Sequence, residues 1–277
     1  MPELPEVETI KNQLLDKICG KKIKQVEIRL AKIIKGVPVN DFKQRVPGAT
    51  VKNVRRRAKL LIIELNNGYG LLIHLKLTGQ LIFIKTLKHE NIKTFTHLIY
   101  YFSDQSCLLH NDLRQFGYVK LIKTADLENI FLKEKLGPEP LSKSFSLEKF
   151  KELLSAKPRA KIKPLLMDQS FIAGVGNVYA QEACWCSRIL PTRIVKSLKE
   201  KEIARLYNCL LKILKEAIKY KGSSVDTYVD INGEQGSYIS KLKVYARENE
   251  KCWRCGGKIK KMTLAGRGIC FCSHCQK

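Results

Sequence analysis

The sequence predicts an α+β fold in three successive parts: a helix with a mainly antiparallel sheet region, a helical region, and a small C-terminal hairpin clipped by four cysteines. Three observations predict it. Short apolar or alternating runs separated by turn residues fill positions 23 to 122, helical periodicity dominates after the Gly-Pro break near residue 137, and two Cys-x-x-Cys pairs lie close to the C-terminus.

Val7, Ile10, Leu14, Leu15 and Ile18 recur at helical spacing, which predicts a helix over residues 5 to 18. Pro5 fits its first turn, where a missing N–H has no intrahelical partner. Strands follow at Val26, Ile28 and Leu30, Leu60 to Leu65, Leu71 to Leu75, Leu81 to Ile84, Leu98 to Phe102 and Tyr118 to Ile122, with turns at Asn66-Asn67-Gly68 and Thr78-Gly79. Leu136-Gly-Pro-Glu-Pro-Leu141 can continue neither a strand nor a helix, so a first domain is expected over 1–135 and a linker over 136–145. A helical region over 146–243 comes next. In it Ser146 is expected to cap a helix carrying Leu147, Phe150, Leu153 and Leu154. Ser197 and Glu200 suggest a capping box ahead of Ile203, Leu206, Leu210, Ile213, Leu214 and Ile218, with Gly222 just past that helix. Residues 222–240, rich in Gly, Ser, Asp and Asn, read as a long mobile loop, and 244–277 as the terminal hairpin.

The chain has 277 residues, 44% of them hydrophobic, which suffices for a real core and excludes a disordered tail. Lys and Arg outnumber Asp and Glu 51 to 26, a net charge of +25. No apolar run approaches the ~18 residues a membrane span needs. Such an excess points to a polyanion, with nucleic acid favoured over a ribosomal contact or an anionic membrane surface. Met1 leads directly into the acidic Pro-Glu-Leu-Pro-Glu rather than a leader, and this, with the chain's size, suggests a reducing cytoplasm despite ten cysteines. Cys19, Cys107, Cys184, Cys186 and Cys209 are then expected as small core residues.

Cys252-Trp-Arg-Cys255 and Cys272-Ser-His-Cys275, sixteen residues apart, have the spacing of a zinc ribbon. One structural zinc is expected, because four thiolates leave no open coordination position, and about thirty residues of hairpin need a staple to fold. Cys270 and His274 lie near but form no matched turn. Arg267 falls on the hairpin between the pairs, where it has no core to support and its fork suits a phosphate.

Pro2-Glu-Leu-Pro-Glu-Val-Glu-Thr9 resembles the N-terminus of the formamidopyrimidine-DNA glycosylases. Lys59 in Arg-Arg-Ala-Lys-Leu, His74-Leu, Asp112-Leu-Arg-Gln-Phe-Gly117, Leu136 to Leu141, Gly174-Val-Gly-Asn-Val-Tyr179 and the terminal cysteines recur in that family's order, so the resemblance spans essentially the whole chain. It implies a β-sandwich behind the first helix, a helix-two-turn-helix and a zinc hairpin. It also implies a bifunctional glycosylase and abasic-site lyase that excises formamidopyrimidines and 8-oxoguanine opposite cytosine from double-stranded DNA. Pro2, freed by removal of Met1, would attack the anomeric C1′ of the damaged nucleotide, expel the base and leave an iminium that drives β,δ-elimination. An α-amino group titrates near ~7.7–8.0 against ~10.4 for lysine, so more of it is neutral, and the charge of Lys59 would lower it further.

By the same resemblance Glu3 would shuttle protons and Glu6 would support it, from the start of one helix. Leu77, Arg114 and Phe116 would fill the gap left by a flipped nucleotide. Lys59 and Arg267 would complete the catalytic set, and with His74, Lys163 and Asn177 would hold phosphates. No organic cofactor and no membrane partner are expected, and the absence of heptads suggests a monomer acting in the bacterial cytoplasm on nucleoid DNA. The chain departs from the family's usual residues at Lys76-Leu77, Gln181, Ile239 and Ala246. Two other readings stand beside this one. An endonuclease VIII-like enzyme for oxidised pyrimidines would share the proline, although Leu4 stands where that relative has glycine. A non-catalytic zinc-ribbon protein would share the charge, but has no use for Pro2, Glu3 and Glu6 together.

Overall fold

The computed structural model describes residues 1–277, which form two compact units. The first comprises Met1–Glu134 with Tyr220–Ile239, and the second Lys135–Lys219 with Ser240–Lys277.

In the first unit, helix α1 (Leu4–Ile18) precedes β1 (Ile23–Ile28), β2 (Ile34–Lys35), α2 (Val39–Arg45), β3 (Val51–Arg57), β4 (Leu60–Leu65), β5 (Tyr69–His74), β6 (Gly79–Ile84), β7 (Thr96–Phe102), β8 (Cys107–Asp112), β9 (Tyr118–Lys123) and α3 (Leu127–Lys133). The strands make a four-stranded antiparallel sheet, β1-β7-β8-β6, and a five-stranded sheet, β2-β9-β5-β4-β3, in which only β2 and β9 run parallel. Alternation explains the layering. Leu98, Tyr100 and Leu108 of the first sheet and Leu61, Ile63, Leu71 and Ile73 of the second share one core with Val7, Ile10, Leu14 and Ile18 of α1. Burying each such side chain contributes about 1.5–3 kcal/mol. Strand β3 was not legible as an apolar run: it is an edge strand in which Val51 and Val54 are buried and charged residues face outward.

The loop expected to be mobile within the helical region, residues 222–240, instead packs on the first unit as far as Ile239. Tyr228 and Ile231 join the sandwich core, Phe83 N–H donates to Ile231 O at 2.8 Å, and Gln13 Nε2 donates to Asp230 Oδ2 at 2.7 Å. The other oxygen of Asp230 accepts the N–H groups of Asn232 (2.9 Å) and Glu234 (3.0 Å). Buried apolar anchors and satisfied backbone groups order a loop that composition alone reads as free.

The second unit contains α4 (Leu147–Ser155), α5 (Ile162–Met167), α6 (Asn177–Cys186), α7 (Glu200–Lys219) and the hairpin β10 (Lys260–Leu264) and β11 (Arg267–Phe271). Ser146 caps α4 by accepting Lys149 N–H at 3.2 Å, as expected. Ser197 does not cap α7. It lies in a 3-10 turn with its hydroxyl on Ile194 O, while Glu202 reaches back to Lys199 N–H at 2.9 Å. Cys107 and Cys184 are buried, but Cys19 is exposed. Cys186 and Cys209 are joined as a disulfide between α6 and α7, their Cα atoms 5.8 Å apart, a pairing that separation of 23 residues in sequence did not reveal. No helix is long and apolar enough to cross a membrane.

Candidate active site and nucleic-acid interface

The first unit gathers the N-terminal candidates at the start of α1. Pro2, Glu3 and Glu6 are buried, the two acids to 3% exposure each. Glu3 is the N-cap of the helix. Glu6 Oε2 accepts Glu3 N–H at 2.8 Å, satisfying one of the helix's orphan donors. Its other oxygen accepts Ser223 N–H at 2.8 Å, so one carboxylate fastens the N-terminal segment to the start of the 220–239 loop. Gly222 is needed there: its φ is +81° and a Cβ would lie 2.8 Å from Glu6. The amine of Met1 pairs with Asp226 at 3.4 Å.

Lys59 occupies the two-residue turn between β3 and β4 and is 7% exposed. Arg56 fixes this turn to α1, with Nε 2.6 Å from Glu8 Oε2 and a terminal nitrogen donating to Ala58 O at 3.0 Å. Burial pushes the Glu8 carboxyl up, but Lys11 and Arg56 outweigh it and hold the group below its ordinary value. His74, at the end of β5, accepts Lys76 N–H at Nδ1 (3.0 Å). Its neutral ring therefore carries hydrogen on Nε2. Burial, followed by the charges of Lys76 and Lys59, lowers its pKa to about 3.

Leu77 is half-buried in the turn between β5 and β6, and Lys76 before it has φ +50°. Arg114 and Phe116 project from the β8–β9 loop, where Phe116 is 54% exposed and the Arg114 guanidinium lies 5.0 Å from its ring centroid. An exposed phenylalanine under a guanidinium is suited to stack on bases.

In the second unit, Asn177 opens α6, and Lys163 on α5, only 1% exposed, donates to Asn177 Oδ1 at 2.6 Å. A cavity of about 180 Å³ is lined by Lys163, Pro164, Met167, Asp168, Leu264, Ala265 and Arg267, so two candidate phosphate ligands share one concavity. Gln181 is one of the departures from the family's usual residues. The structure gives it a connecting place: its Oε1 accepts Cys270 N–H at 2.6 Å and its Nε2 donates to Asn177 O at 3.0 Å, tying α6 to the strand that carries Arg267. Glu182 beside it accepts the N–H groups of Lys243, Val244 and Tyr245 at 2.9, 3.0 and 2.9 Å. Burial raises its pKa against the pull of those groups. No local pattern marks Glu182, because only the fold brings residues 243–245 to it. Ala246 adopts φ +59°, the left-handed region that a glycine adopts freely.

Cys252, Cys255, Cys272 and Cys275 place their sulfurs within 4.8 Å of one another. The Cys252–Cys275 and Cys255–Cys272 separations are 3.9 and 3.5 Å. A tetrahedron with metal–sulfur bonds of about 2.3 Å has edges near ~3.8 Å, so the quartet fits a zinc ion. Cys270 spends its N–H on Gln181, and neither its thiol nor exposed His274 belongs to the quartet.

Residues 1–119 match the formamidopyrimidine-DNA glycosylase N-terminal domain, residues 136–229 the formamidopyrimidine-DNA glycosylase H2TH domain, and residues 249–277 the zinc finger found in FPG and IleRS. The C-terminal module thus carries one structural zinc. Curated proteins described as formamidopyrimidine-DNA glycosylase are 42% identical in Pelotomaculum thermopropionicum, covering 100% of this chain and 99% of the relative, and 41% identical in Listeria monocytogenes, covering 100% of each. Among solved structures, Lactococcus lactis Fpg in complex with DNA containing an abasic site superposes with a TM-score of 0.93 at 37% identity and 99% coverage of both chains. A MutM complex with DNA containing carbocyclic 8-oxo-G gives 0.92 at 36% identity, covering 100% of both.

Proposed function

Since the chain belongs to the formamidopyrimidine-DNA glycosylase family, and is a zinc-containing DNA glycosylase for oxidised purines, we propose how its own residues divide the work. The observation that carries the proposal is the buried Pro2-Glu3 segment at the head of α1, held by Glu6. Once Met1 is removed, the neutral Pro2 nitrogen attacks C1′; the N–C1′ bond forms, the glycosidic bond breaks, and the base leaves with a proton. Glu3 moves that proton and the one needed for sugar ring opening. The iminium acidifies C2′, and loss of its proton expels the 3′ phosphate. A second elimination expels the 5′ phosphate.

Lys59, by its charge, keeps the amine neutral before attack and neutralises phosphate afterwards. Arg267 assists phosphate departure, and Lys163, Asn177 and His74 hold the flanking backbone. His74 does so as a neutral donor through Nε2, given the Lys76 bond to Nδ1. Leu77, Arg114 and Phe116 occupy the gap left by the flipped nucleotide. Formamidopyrimidines and 8-oxoguanine opposite cytosine are the substrates. The enzyme acts as a monomer in the cytoplasm, on nucleoid DNA.

Borohydride trapping on duplex DNA bearing 8-oxoguanine or an abasic site tests this directly. Met1-processed protein is expected to give a cross-link that maps to Pro2 and weakens in Pro2→Gly, whose primary terminal amine can still form a trappable imine. A cross-link to a lysine, or none on either substrate, would overturn the nucleophile assignment.

A further inference from the structure

Two separate loops carry the three gap-filling residues, and they meet at one buried carboxylate. Asp112, the last residue of β8, has 0% exposure and lies opposite Gly79 in the β6–β8 pairing. Its Oδ1 accepts the Thr78 hydroxyl at 2.5 Å and Arg114 N–H at 3.3 Å, and its Oδ2 accepts Gly117 N–H at 2.7 Å. Arg114 N–H also donates to Thr78 Oγ1 at 2.9 Å. Thr78 is the neighbour of Leu77, while Arg114 and Gly117 bracket Phe116. A single carboxylate and a single hydroxyl therefore set the β5–β6 turn against the β8–β9 loop.

The backbone around this knot leaves little freedom. A Cβ on Gly117 would meet Asp112 Oδ2 at 2.9 Å, and one on Gly79 would meet Leu75 O at 2.5 Å. The backbone carbonyl of Asp112 contacts His97 Nε2 at 2.8 Å, and its N–H donates to Phe95 O at 2.9 Å. Leu77 is half-buried and Phe116 exposed, so neither loop is positioned by packing its own tip. The side chains meant to enter DNA are held from beneath.

We propose that Thr78 and Asp112 are positioning residues for nucleotide flipping, a clasp that presents Leu77, Arg114 and Phe116 as one preassembled wedge. The proposal rests on the wedge role given to those three residues above. Without the clasp the two loops would have to find their common arrangement during insertion, so the ordering cost would fall on the flipping step. Pro2 chemistry on a nucleotide already out of a stack would not bear that cost.

The test compares wild type, Thr78→Val, Thr78→Ser and Asp112→Asn on 8-oxoguanine in a C-paired duplex and on a single-stranded oligonucleotide bearing an abasic site. A 2-aminopurine placed beside the lesion reports unstacking. Thr78→Val, which keeps the side chain's shape, is expected to lower the ratio of duplex excision to single-strand cleavage at least tenfold. It should also slow the 2-aminopurine rise, and Thr78→Ser should restore both. Asp112→Asn should lower the ratio further. A ratio within twofold of wild type in Thr78→Val, or an equal fall on both substrates, would overturn the clasp. Wild-type protein inactive on both substrates would instead overturn the enzymatic reading itself.

Discussion

Replacing Glu6 by Gln probes the junction between the N-terminal segment and the 220–239 loop. The carboxylate accepts two N–H groups at 2.8 Å each, Glu3 on one oxygen and Ser223 on the other, in a site 3% exposed. Glutamine supplies one acceptor oxygen, so its amide nitrogen must face one of the two donors. A hydrogen bond to a charged group contributes about 1.5–3 kcal/mol. Losing one on the Ser223 side, at about 2 kcal/mol, shifts local opening of the loop base roughly 30-fold, given about 1.4 kcal/mol per factor of ten. Hydrogen exchange on peptides covering 220–239 reads this. The Ser223 amide is expected to exchange roughly 30-fold faster, on the same arithmetic. Asn232 and Glu234, held by the separate Asp230 anchor, should keep their protection. Unchanged Ser223 protection in a folded variant, or uniform acceleration across the whole loop, would refute the reasoning.

Further expectations concern titration, metal, backbone and salt. His110 is wholly buried with both ring nitrogens unpartnered, and burial lowers its pKa to about 4. Its folded pKa lies below the ~6.5 of an unfolded histidine, so its contribution is intact above about pH 6.5 and is lost as pH falls toward 4; going from pH 7.5 to 5 costs about 2 kcal/mol. Denaturant titrations should show wild type losing about 2 kcal/mol more than His110→Leu between pH 7.5 and 5, and equal losses would contradict it. Chelating the zinc, or making Cys272→Ser, should unfold residues 249–277 and remove one metal per chain by elemental analysis; retained hairpin structure without metal would contradict the staple. Ala246→Gly relieves a left-handed φ and should raise the melting temperature modestly, by the equivalent of about 0.5–1 kcal/mol; a fall would show that Ala246 packs usefully. Arg267→Ala should reduce the salt slope of DNA affinity by about 1, and an unchanged slope would remove it from the phosphate contacts.

What the sequence made legible is what local pattern encodes. Helix α1 and most strands followed from spacing, and the zinc quartet from two matched turns. The chemical candidates came from a resemblance carried by short motifs in order. Long-range partners were not legible. Nothing near Asp230 announces Gln13, so an anchored loop read as a mobile one. Ser197 satisfied a capping pattern, yet the chain enters α7 through a 3-10 turn and hands the capping to Glu202. Cys186 and Cys209 looked like isolated core thiols until two helices brought them together. Within the candidate site, Asp112 and Gln181 were visible as letters of motifs, but their connecting roles depend on backbone groups that only the fold supplies.

The return of residues 220–239 to the first unit also has a consequence during synthesis. Glu6 and Ser223 are separated by 217 residues, and so are Gln13 and Asp230. A ribosome adding about 5–20 residues per second needs roughly 10–40 s to span that interval. Until then the sandwich is one segment short, and the head of α1 lacks the backbone amide that will fasten it. The nascent N-terminus is thus open to an aminopeptidase for most of translation, so Met1 can be trimmed, and the amine proposed as the nucleophile freed, before the last-made piece of its own unit closes over it. Nascent chains arrested before residue 220 should lose Met1 as readily as full-length ones, and slower trimming of the arrested chains would argue against this order of events.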